Sequence, residues 1–143
     1  MADKYQRGGN MIERVHEHII GELGTNTRTD TIFVITAIIL NLVTLGINSG
    51  IASSNGGATE TIVMFTFVAL IIVVNFVAEI GLLRGRQMRR KLLNGLMKMY
   101  KDQGVEGYYD ASLMGDYTIR YNLFMLTVLF TGLIAVVIPF VIR

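Results

Sequence analysis

Imidazole and carboxylate side chains are where a search for chemistry begins, and here they are sparse. The two histidines, His16 and His18, form a His-x-His pair. On a helix that spacing turns the rings about 200° apart, a poor arrangement for sharing one metal ion. Glu13 and Glu17 flank His16, but carboxylates mixed with histidine are ordinary on a surface helix. The absence of cysteine removes thiolate ligands, disulfides and Cys nucleophiles. The serines lie in predicted loops with no base beside them. Gly81-Leu-Leu-Arg-Gly85 lacks the Lys-Ser/Thr ending of a phosphate-binding loop. Met64 and Met125 sit in apolar runs without a histidine to complete a haem ligand set. No catalytic residue, metal site or cofactor is expected, and the chain does not read as an enzyme.

The remaining chemistry belongs to polar side chains inside apolar runs. Ala37, Asn41, Thr44 and Asn48 follow i, i+4, i+7, i+11 and form one small, polar stripe on a helix. Asn75 and Glu79 lie one turn apart on another run. In lipid such groups are costly unless they find partners, so each marks a contact or a site. A hydrogen bond between Asn41 and Asn75 would tie helices together, within one chain or between copies. Alternatively, the stripe lines a polar path. Glu79 has two readings of its own: it pairs with Arg120 or snorkels to water, or a ring of carboxylates around a symmetry axis filters cations or binds protons.

These side chains must be positioned by long helices. Residues 31–48, 61–83 and 122–142 are nearly free of charge, Glu79 being the exception. As helices they extend roughly 27, 34 and 31 Å, against a hydrocarbon core about 30 Å thick. The 143-residue chain is therefore expected to be one all-α membrane domain with three transmembrane helices. Charged residues are only 17% and apolar ones 52%, averages that conceal this segregation. A net charge of +2 is too small to point to nucleic acid. Lys and Arg number four in residues 1–30, none in 48–60, eight in 84–121 and one at the C-terminus. The positive-inside rule then places the N-terminus in the cytoplasm and the C-terminus outside the cell membrane.

Two amphipathic stretches flank the spans. Residues 11–23 carry Ile12, Val15, Ile19 and Leu23 at helical spacing, and Gly24 reads as their stop. Thr27-x-x-Asp30 then resembles a capping box for the first span. The segment 84–121 reads as a cytoplasmic helical hairpin, the competing reading being a basic amphipathic helix lying flat on anionic lipid. Its first arm continues the second helix from Thr61 to Asp102, with Met88, Leu92, Leu96 and Met99 on one side. A turn at Gly104 and Gly107 follows, and Asp110 or Ser112 caps the returning arm of Leu113, Tyr117 and Tyr121. Arg86, Arg89, Arg90 and Lys91 stand where anionic lipid headgroups would lie. Thr127, Thr131 and Ala135, and likewise Gly81 and Gly85, form small-xxx-small faces suited to close helix contact. The expected function is a small, non-enzymatic membrane protein that self-assembles as a scaffold or pore. The alternative is an accessory subunit of a larger membrane complex.

Overall fold

The computed structural model describes the backbone of residues 2–54, 56–110 and 112–143, and side chains from Met11 onward except Leu113. The side chains of Lys4, Arg7 and Leu113 lie outside the described residues. Three long helices account for the fold: α1 (Ala2–Ser53), α2 (Ala58–Asp102) and α3 (Leu113–Ile142). No strand occurs among the described residues.

The expected break in α1 is absent. The helix runs through Gly21 and Gly24, both facing open space. Thr27, Thr29 and Thr31 do not cap anything. Their hydroxyls donate back to the carbonyls of Leu23, Thr25 and Thr27 at 2.9, 3.0 and 2.9 Å, one turn earlier in the same helix. A glycine lowers helix stability by only about 1 kcal/mol. Contacts on both sides of Gly24 offset that cost: His16 below it bonds Tyr100 of α2, and Asn26 above it bonds α2 and α3. Residues 11–23 are thus the lower end of one helix.

α2 continues unbroken from its apolar run into the basic segment, a length of roughly 67 Å. Its inward positions there are Leu93 and Leu96, whereas Met88 points out at 50% exposure. The helix ends at Gln103, and Gly104 takes a φ of 69°, a conformation that favours glycine. A short 3-10 turn, Glu106–Tyr108, leads back to α3. Ser112 stands at the N-cap of α3, but its side chain makes no capping hydrogen bond. Instead Asp110 Oδ1 accepts the Ser112 backbone N–H at 2.8 Å, closing a local turn.

α1 and α3 run parallel to each other and antiparallel to α2. Asn41 is level with Asn75 and Thr131, and Asp30 is level with Gly85 and Tyr121. Between these layers Ala37, Ala78, Leu82 and Val128 form a dry plug, flanked by Phe33, Val34 and Met125. The glycines permit this approach. A methyl at Gly132 would sit 2.5 Å from Asn75 Oδ1, and one at Gly81 would press on the Phe33 ring at 3.1 Å.

All three helices are long and apolar enough to cross a membrane, and only about a quarter of each apolar window is covered by the others. The rest turns Ile, Leu, Val and Phe outward. The accessible area is 9864 Å². A water-soluble globule of this mass would expose about 7,400 Å², and it would not expose apolar side chains in such continuous bands.

Candidate functional site

The polar side chains collect in two layers across all three helices. In the first, the amides of Asn41 and Asn75 bond reciprocally. Asn41 Nδ2 donates to Asn75 Oδ1 at 3.0 Å and Asn75 Nδ2 to Asn41 Oδ1 at 2.7 Å. Asn41 Nδ2 also reaches Thr131 Oγ1 at 2.9 Å, and Asn75 Nδ2 reaches the Ile71 carbonyl at 2.8 Å. One chain therefore satisfies both amides. The small faces are used in the same way: Gly81, Gly85 and Gly132 back onto side chains of their own bundle, and Ala135 is fully buried. The rest of the stripe on α1 points inward as well. Thr44 is buried, and Asn48 is 0% exposed with neither side-chain atom hydrogen-bonded.

The second layer was not legible as a site. Asp30, 4% exposed, accepts the Tyr121 hydroxyl and the Asn26 amide, the latter at 3.1 Å. Asn26 Nδ2 also approaches the Gly85 carbonyl at 3.1 Å and Tyr121 Oη at 3.0 Å. Arg89 donates to Thr27 Oγ1 and to the Leu23 carbonyl at 3.3 Å. Its guanidinium lies 4.8 Å from the centre of the Tyr117 ring and 5.9 Å from that of Tyr121. Asp30 and Arg89 line the same small crevice, so the buried carboxylate has a cation near it. One signal could have revealed this layer. Asp30 stands seven residues before Ala37 and so prolongs the stripe of Asn41, Thr44 and Asn48 by two turns.

Glu79 and Arg120 do not meet. Glu79 is half-buried, and its Oε1 is closed off from solvent with no hydrogen-bond partner. Arg120 instead lies over Phe124 at 5.4 Å. One face of α2 separates the residues of the basic cluster. Arg86 donates to Asn122 Oδ1 at 2.7 Å, Arg89 turns into the bundle, and Arg90 and Lys91 are exposed. Arg86, Arg89 and Arg90 line a cleft of about 430 Å³ between α2 and α3, and Lys91 does not.

At the far tip of the bundle, His16 Nε2 lies 3.1 Å from Tyr100 Oη, and the Tyr100 ring stacks at a tilt against Tyr109. Burial chiefly raises the Tyr109 phenol above its ordinary value, with Tyr117 and Tyr100 adding to the effect. Hydrogen bonds from Ser112 hold the Asp110 carboxyl below its usual range. Among the described residues no three His, Cys, Asp or Glu side chains converge. The arrangement holds helices in register and presents cations to one cleft. Compared with family models, curated proteins and solved structures, the chain matches none.

Proposed function

We infer that this is a non-enzymatic, multi-pass membrane protein that assembles laterally with copies of itself as a scaffold. The observation that carries the reading is the placement of Gly46 and Gly50. They stand one turn apart on the lipid-facing side of α1, and a methyl on either would meet nothing within 4 Å. A Gly-x-x-x-Gly face open to lipid lets a second helix approach closely. Of the other glycines in or beside the apolar runs, Gly81, Gly85 and Gly132 are already spent inside the bundle. The distribution of basic residues supports a cytoplasmic position for the end that carries Arg86 to Lys101, in the cell membrane.

The inward turn of Asn41, Thr44, Asn48 and Asn75 favours a scaffold over a pore, because the plug of Ala37, Ala78, Leu82 and Val128 interrupts any polar path. The observation on the side of a pore is the unpartnered carboxylate of Glu79. Ion flux in liposomes that is altered by Glu79→Gln would support that version.

Mass measurement of the purified chain in mild detergent tests the main reading. A single defined oligomer is expected, and Gly46→Leu with Gly50→Leu should convert it to a monomer of unchanged helicity. A monomeric wild-type chain would overturn self-assembly. It would direct attention to an accessory role in a larger complex. The exposed Met11, Ile12, Val15 and Ile20 at the lower end of α1 offer a partner surface for that role.

A further inference from the structure

We propose that the cleft between α2 and α3 is a binding site for the phosphate-bearing headgroup of an anionic phospholipid. This goes beyond the scaffold reading and does not depend on it. The cleft is lined by Arg86, Arg89 and Arg90 at i, i+3 and i+4 of α2, with Asn94 on α2 and Tyr117 and Thr118 on α3. Among the described residues no acidic side chain lines it. Three guanidiniums within about one helical turn repel one another unless an anion joins them. The bundle answers them incompletely. Arg86 has Asn122, a neutral acceptor. Arg89 has Thr27, the Leu23 carbonyl and, in the neighbouring crevice, the Asp30 carboxylate, yet its Nε is buried without a partner. Among the described residues Arg90 makes no hydrogen bond or ion pair. A phosphate accepts several charge-assisted hydrogen bonds at once and suits the planar guanidinium fork. Asn94, Thr118 and the Tyr117 hydroxyl add neutral donors in the same cleft.

Depth selects a lipid over a soluble phosphate. On each helix the Asp30, Gly85, Tyr121 layer lies ten or eleven residues from the Asn41, Asn75, Thr131 layer. That separation is roughly 15 Å, half the hydrocarbon thickness. With the amide layer at mid-membrane, Gly85 stands at the hydrocarbon edge. Arg86, Arg89 and Arg90 then lie about 1.5 to 7.5 Å outside it, within the headgroup layer of roughly 5–8 Å. A volume of about 430 Å³ is in the range of small-molecule sites, and the cleft is partly open to the surface. It admits one headgroup while the acyl chains stay on the apolar outer faces of α2 and α3. Basic pockets between membrane helices are suited to such recognition.

The test uses the full chain in micelles holding equal phosphatidylglycerol and phosphatidylcholine with matched acyl chains. Co-purifying lipid is counted by native mass spectrometry. Phosphatidylglycerol should be retained about tenfold over phosphatidylcholine. Arg86→Gln with Arg90→Gln should lower that ratio at least about fivefold, while Lys91→Gln with Lys98→Gln, an equal charge loss outside the cleft, should stay within about twofold. Arg90→Gln alone breaks no contact of the fold and should lower the ratio by about two- to threefold. An equal loss in the lysine pair would reduce the effect to diffuse charge and overturn the site. So would equal retention of the two lipids. Displacement of the lipid by millimolar inorganic phosphate would assign the cleft to a soluble phosphate and overturn the lipid reading.

Discussion

At the scale of single residues, the amide pair is the most informative feature of the bundle. Asn41 and Asn75 exchange two hydrogen bonds in a place where water is scarce, and Thr131 completes the set. Replacing either amide alone leaves the other buried without its partner, at a cost of about 1–3 kcal/mol. A double-mutant cycle with Asn41→Val and Asn75→Val should therefore give a coupling of about 0.6–2 kcal/mol. Unfolding in mixed detergent micelles measures it, and a coupling indistinguishable from zero would mean that packing alone aligns these helices. The same scale shows where side-chain type was a poor guide. Glu79 and Arg120 have opposite charges, yet Arg120 rests on Phe124 and Glu79 finds no cation. Asp30, an ordinary carboxylate by composition, is the one that becomes buried and multiply bonded.

At the scale of elements, continuity is the lesson. Gly24 and Gly132 are both helical glycines with opposite surroundings. Nothing lies within 4 Å of a methyl at Gly24, whereas one at Gly132 would meet Asn75 Oδ1 at 2.5 Å. Gly24→Ala should raise thermal stability by roughly 0.5–1 kcal/mol, because a continuous helix gains from the better helix former. Gly132→Ala should lower it by roughly 1–3 kcal/mol through overpacking. Circular dichroism melts of the two variants separate these outcomes. Loss of stability on Gly24→Ala would restore Gly24 as a helix stop. Local sequence signals misread this element because glycine and a Thr-x-x-Asp pattern carry the same local meaning in a cap and in a helix. The contacts of His16 and Asn26 with the other helices decide between them.

At the scale of the whole molecule, the bundle is asymmetric along its axis. Its apolar part is closed at one end by a short connection, where Arg143 donates to Thr61 Oγ1 at 2.6 Å. At the other end the three helices continue together into a charged extension that ends near Tyr108, 94% exposed. The absence of native cysteine makes orientation directly measurable. In intact cells a membrane-impermeant maleimide should label Ser54→Cys at once and Tyr108→Cys only after permeabilisation. The reverse pattern would invert the topology inferred from the basic residues.

Three long apolar helices and the basic end could be read from the sequence alone, because hydropathy and charge act on a segment wherever its neighbours lie. The long continuation of α2 to Asp102 was readable for the same reason, since no proline interrupts its helical pattern. The contacts among polar side chains were a different matter. Asn41 and Asn75 could be matched by depth, but Asp30, Tyr121, Asn26 and Arg89 come from three helices, and their meeting depends on the rotation of each helix about its axis. Only tertiary packing sets that rotation. It turned the polar stripe of α1 inward, used Gly81, Gly85 and Gly132 within the chain, left Gly46 and Gly50 facing outward, and drew three arginines into one cleft.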